Sequence, residues 1–249
     1  MNPKPAKPVW LAIVGVSFAL NAAFLAYHAR AGTFRHVLVR MDLAEPSAER
    51  SSYQAEMESR YRRLAGPPGS VVFAGDSLIY QGPWSEFDPG ARNRGIPDET
   101  SAQLLGRIGD VLAEKPRVLV LLTGANDRNR GVPLAQLARN VREILEWAKA
   151  ECPGLRVVLL GMLPVDPSRP DSKALYDNAA VAEANRVLEA LAGEFPPTGF
   201  LDLSNRLADK SGTLRPEFTA DGLHLTLDGY LAIREAIGAA VAFSAPQPR

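Results

Sequence analysis

The chain has 249 residues, 46% hydrophobic and 22% charged, with 28 Lys and Arg against 28 Asp and Glu. That is globular composition, enough for one large domain and an appendage with a core that needs no disulfides. The zero net charge, without any basic block, argues against a nucleic-acid partner, and the lone Cys152 excludes an internal bridge and a cysteine metal cluster. The chain opens with Lys4 and Lys7 among prolines, then "VWLAIVGVSFALNAAFLAY" over 9–27, where only Ser17 and Asn21 are clearly polar. This stretch approaches the ~20 residues of a membrane-spanning helix and exceeds the ~7–15 of a signal-peptide apolar region. Residues 1–31 are therefore expected to be a transmembrane signal anchor, with the rest of the chain outside the cytoplasm. A cleaved signal peptide competes, since Ala29-Arg30-Ala31 resembles a small-x-small cleavage site. Arg30, Arg35 and Arg40 follow the span and leave the charge bias weak.

Residues 32–66 read as a connector and a polar helix over 47–64, with Tyr53, Met57, Tyr61 and Leu64 as a narrow apolar stripe. "AGPPGS" breaks the chain. Residues 67–243 then alternate. Val71, Val72, Phe73 and Ala74 form a short buried strand, and a weaker one is expected around 91–94. Thr100-x-x-Gln103 has the form of a capping box opening a helix. Strands follow at 117–124, 155–164 and 199–204, with amphipathic helices at 132–150, 174–195 and 226–243. Continuous apolar strands between amphipathic helices imply a parallel sheet covered on both faces. The tail 244–249 is expected to be disordered.

Ligands of such sheets sit beyond the carboxyl ends of the strands. There the chain places Gly75-Asp76-Ser77, Gly95, Gly124-Ala125-Asn126-Asp127 and, before the last helix, Asp221 and His224. A serine hydroxyl becomes a nucleophile when a base takes its proton, and a neutral imidazole suits that work. His28 and His36 lie by the span, so His224 is the one histidine the domain can use. An Asn amide beside glycine can stabilise an oxyanion.

"AGDSLIYQG", "RNRGIPDET", "LTGANDRNRG" and "DGLHLTLDGY" resemble, in order and spacing, the four blocks of the SGNH (GDSL) hydrolase family. Within it they resemble the branch of the platelet-activating-factor acetylhydrolase catalytic subunits. The resemblance implies a flavodoxin-like three-layer α/β/α sandwich around a parallel sheet, and an esterase, lipase or deacetylase that needs no metal or other cofactor. It implies Ser77 as nucleophile, His224 as base and Asp221 as the group orienting His224. The oxyanion hole would combine the Ser77 backbone N–H with Gly95 and Asn126. The second block departs from the family in "IPDET", where relatives often carry Gly or Ser soon after the Ile.

Alternatives stand beside these roles. Asp221 and His224 also suit a polar cluster at a helix start. Asp76 and Asp127 are read as structural hydrogen-bonders, and Arg128 and Arg130 as solvated loop residues or as contacts for an anionic substrate. Tyr80, Trp84 and Phe87 could line a pocket or pack in the core. The leading expectation is a membrane-tethered serine esterase releasing a short acyl group from a carbohydrate or lipid. A catalytically silent glycan- or lipid-binding protein and an acyltransferase compete with it. A GxSxG elbow, a P-loop, a zincin motif and a dinucleotide fingerprint are absent from the sequence.

Overall fold

The computed structural model describes residues 49–242. The expected anchor over 1–31, most of the connector and the 244–249 tail lie outside them. Among the described residues no helix is long and apolar enough to cross a membrane. Five parallel strands form one sheet: β1 (Val71–Gly75), β2 (Ala91–Gly95), β3 (Val118–Leu122), β4 (Arg156–Leu160) and β5 (Gly199–Leu201), in the order β2-β1-β3-β4-β5. The central strands β1 and β3 are buried along their whole length, which is why they read as unbroken apolar runs. The order reverses at β1, so the crevice between the ends of β1 and β3 is the switch point where such sheets bind ligands.

The helices follow from the same chain: α1 (Ser52–Arg63), α2 (Ser77–Tyr80), α3 (Trp84–Phe87), α4 (Ser101–Leu105), α5 (Ile108–Leu112), α6 (Ala125–Asn129), α7 (Leu134–Glu151), α8 (Asn178–Gly193), α9 (Ser204–Leu207) and α10 (Leu227–Val241). Right-handed crossovers send α4, α5, α7 and α8 to one face, where α7 packs on the other three. The other face carries α3 and α10. There Trp84 stacks on Phe73 at 4.2 Å between ring centroids and meets Tyr230 edge-on at 5.7 Å.

The strands are shorter than their apolar runs, because Gly124 and Gly161–Pro164 already belong to loops. Helix α1 begins at Ser52, five residues later than expected, because Ser51 caps it through a complete capping box with Gln54. Its stripe is buried only at Met57, while Tyr53 and Leu64 are exposed. In α8, Val181, Leu188 and Leu191 are buried while Val187 is only half-buried. The Thr100–Gln103 capping box is present, and Cys152 ends α7 part-buried, with its thiol toward the Leu112 carbonyl at 3.6 Å.

Candidate active site

Helix α2 starts directly after β1. Asp76 caps it, its Oδ1 accepting the Leu78 N–H at 3.0 Å, and Ser77 is the first helical residue. The turn needs glycine at 75, where φ is +152° and a Cβ would lie 1.9 Å from the Leu122 carbonyl oxygen. The Ser77 backbone N–H, at the helix start, has no acceptor within its own helix.

The partner segment is a closed loop. Thr219 and Leu225 form an antiparallel bridge, and between them Asp221 folds back on its own backbone. Asp221 Oδ1 accepts the N–H groups of His224 at 2.8 Å and Leu223 at 3.1 Å. Asp221 Oδ2 meets His224 Nδ1 at 2.7 Å, and His224 Nε2 meets Ser77 Oγ at 2.9 Å. Burial pushes the Asp221 carboxyl up, but the His224 ring and the two backbone donors outweigh it, leaving it below its ordinary value. That favours a carboxylate accepting from Nδ1–H, the tautomer that leaves Nε2 free to take a proton from Ser77.

A second wall holds this loop. Asp166 N–H donates to the Gly222 carbonyl at 2.8 Å and Lys173 N–H to that of Asp221 at 2.9 Å. Gly222 has φ +75°, and a Cβ there would lie 2.3 Å from the Asp166 carbonyl oxygen. The same 166–176 segment is tied to Asn129, which donates to the Lys173 carbonyl at 3.0 Å and accepts from Leu175 N–H at 2.8 Å. The sequence does not mark this segment, because its bonds to the Asp221–His224 loop run between backbone groups and carry no residue signature.

Asn126, in α6 beyond β3, donates one amide N–H to the Glu99 carbonyl at 3.0 Å. That fixes its rotamer and leaves the second N–H available. Gly95 departs from expectation. Its backbone N–H already donates to Asn93 Oδ1 at 2.9 Å, so it is not a free donor for a developing oxyanion. Its glycine is needed for packing instead, since a Cβ would lie 2.2 Å from Tyr80 N.

Trp84 is core, 2% exposed, with its indole N–H on the Ile79 carbonyl at 2.8 Å, and Phe87 is buried beside it. Tyr80 is exposed, its hydroxyl 3.3 Å from that of Tyr53. Asp127 is fully buried and accepts from Ser101 N–H at 2.8 Å and Ser101 Oγ–H at 2.5 Å, a structural role. Arg130 donates to the Asp98 carbonyl at 2.9 Å. Among the described residues no group of three or more His, Cys, Asp or Glu is arranged to hold a metal ion.

Fold and site together define a doubly wound α/β protein with a serine–imidazole–carboxylate relay at its switch point. Residues 73–232 match the GDSL-like Lipase/Acylhydrolase family. A relative from Bos taurus, platelet-activating factor acetylhydrolase IB subunit alpha1, is 31% identical over 179 residues, 67% of this chain and 72% of the relative. Esterase TesA from Pseudomonas aeruginosa is 40% identical over 77 residues, 30% of this chain and 37% of the esterase. The solved structure of a GDSL-like lipase from Bacteroides thetaiotaomicron superposes with TM-score 0.63 at 25% identity, over 74% of this chain and 97% of that one. The chain belongs to the GDSL-like lipase/acylhydrolase family, and it is a hydrolase of carboxylic esters.

Proposed function

We propose that the chain is a membrane-tethered serine esterase that removes a short acyl group from a carbohydrate or lipid through an acyl-Ser77 intermediate. The observation that carries the reading is the unbroken relay from Ser77 Oγ to His224 Nε2 at 2.9 Å and from His224 Nδ1 to Asp221 Oδ2 at 2.7 Å. His224 takes the Ser77 proton as Oγ attacks the ester carbonyl carbon. The carbonyl oxygen gains the negative charge, and the free Asn126 amide N–H and the Ser77 backbone N–H stabilise it. Collapse expels the alcohol, which takes the proton from His224. Water then repeats the sequence on the acyl-serine, and His224 again accepts and returns one proton. Asp221 keeps the ring oriented and stabilises the imidazolium formed in each half.

A short acyl group is supported by the name of the Bos taurus relative, an acetylhydrolase. Tethering is supported by the apolar run over 9–27, and the proposal takes the catalytic domain to lie outside the cytoplasm. The test is hydrolysis of a short chromogenic ester by Ser77→Ala. Turnover should fall to background with the thermal midpoint nearly unchanged, because a hydroxyl at a strand tip adds little packing. Turnover well above background removes Ser77 as nucleophile.

A further inference from the structure

Helix α1 and the two residues that precede its cap lie upstream of the family match at 73–232. They nevertheless grip the end of β2 and the loop that leaves it at three alternate residues. The Tyr61 hydroxyl donates to the Gly95 carbonyl at 2.8 Å. Burial pushes that phenol up to about 12, so it remains a donor at any working pH. Gln54 Nε2 donates to the Pro97 carbonyl at 3.0 Å. Arg50 Nη1 reaches Glu99 Oε1 at 3.2 Å, while its Nε holds Glu58 at 2.9 Å. Glu99 is 1% exposed, and Arg107 closes its other side with Nε on Oε1 and Nη2 on Oε2, both at 2.6 Å. The backbone carbonyl of this same Glu99 accepts the Asn126 amide. Apolar burial does not explain why α1 lies here, because Met57 is its one fully buried apolar side chain. The helix is held by polar bonds, and these converge on the loop that carries the Asn126 acceptor.

We propose that residues 49–63 are a positioning clamp for Asn126, so that a segment upstream of the family match completes the active site. The inference rests on the reading of Asn126 as an oxyanion donor. An oxyanion donor helps only if it is already aimed within hydrogen-bond distance of where the charge develops. An asparagine amide has two free torsions, and its bond to the Glu99 carbonyl removes that freedom. The place of that carbonyl therefore sets the direction of the second N–H. Small misplacements at a reacting centre cost as much as ~10²-fold in rate. Arg50, Gln54 and Tyr61 touch no reacting atom; they act through Glu99 and Asn126.

The test is a mutant cycle in the full chain, read as kcat and KM separately on a short chromogenic ester. The Arg50→Ala/Tyr61→Phe double variant removes two of the three grips and leaves Glu99 paired with Arg107. It should lose about tenfold in kcat with KM within about twofold. In an Asn126→Ala background the same pair should cost less than about twofold, because the group it positions is gone. Arg50→Lys, with Tyr61 intact, should keep most of kcat. If the double variant unfolds, Tyr61→Phe alone is carried through the same cycle. Equal losses in both backgrounds, a loss confined to KM, or no loss at all overturns the clamp while Asn126→Ala still shows its own large loss in kcat. Should Asn126→Ala itself leave kcat unchanged, the oxyanion reading falls, and the clamp with it.

Discussion

Asp76 stands beside the proposed nucleophile yet does none of its proton chemistry. It is 1% exposed; Oδ1 caps α2, and Oδ2 is buried with no hydrogen-bond partner among the described residues. Burial pushes its carboxyl up to about 7, against the Leu78 N–H that lowers it and with the charges of Glu99, Asp127 and Asp98 raising it further. Stability that goes with the neutral carboxyl is fully present below the ordinary value of 3.8 and is lost as pH rises through about 7. On the order of 4 kcal/mol separates the two ends of that window. Asp76→Asn keeps a carbonyl for the Leu78 cap and removes the titration. Its thermal midpoint should gain on the wild type as pH rises from 4 to 8; a constant difference across that range would show that Asp76 ionises normally. At this scale much of the site was legible. Ser77, Asn126, Asp221 and His224 are reactive types at the ends of apolar strands or just before a helix, and a sequence displays that directly. Gly95 entered the oxyanion set through the resemblance alone, and its engaged N–H was not legible. Nothing in the sequence says that the Asn93 side chain takes its N–H and that Tyr80 abuts its Cα.

The elements hold the site by close backbone approach, and that makes some glycines far more costly to replace than others. Gly75 and Gly69 both have positive φ, yet a Cβ at 75 would strike the Leu122 carbonyl while one at 69 would meet nothing within 4 Å. Gly69→Ala should cost only the left-handed strain, about 1 kcal/mol. Gly75→Ala should cost at least about 3 kcal/mol, because β1 and β3 must part. Urea midpoints at constant m-value decide it; equal losses would show that the β1 turn tolerates a side chain. Strand β2 was only faintly legible for a related reason. Its residues Asn93 and Arg94 are polar, and they serve bonds rather than the core. Asn93 Nδ2 donates to the carbonyls of Ile79 and Tyr80 at 2.9 and 3.0 Å, and Arg94 pairs in burial with Glu114 at 2.5 Å. Helix α1 was legible as a helix but not as part of the site, since its contacts fall on backbone carbonyls far along the chain.

The order β2-β1-β3-β4-β5 makes one crevice out of segments nearly 150 residues apart, Ser77 and His224 being 147 positions from each other. The alternation of apolar strands and amphipathic helices made the parallel sheet readable, because a strand buried on both faces leaves no polar residue to interrupt its run. On the tethering reading, full-length protein should fractionate with membranes, and a chain beginning at Gly32 should be soluble and active because every site residue lies downstream. Full-length protein recovered as a soluble species beginning at Gly32 would instead mark the apolar run as a cleaved signal. The central claim is that Ser77 is a nucleophile made reactive by His224. It is tested most directly by treating the chain with a fluorescent serine-reactive phosphonate and locating the label by peptide mass. One labelled residue, Ser77, is expected, with labelling lost in His224→Ala. An unlabelled protein, or a label on any other serine, contradicts it.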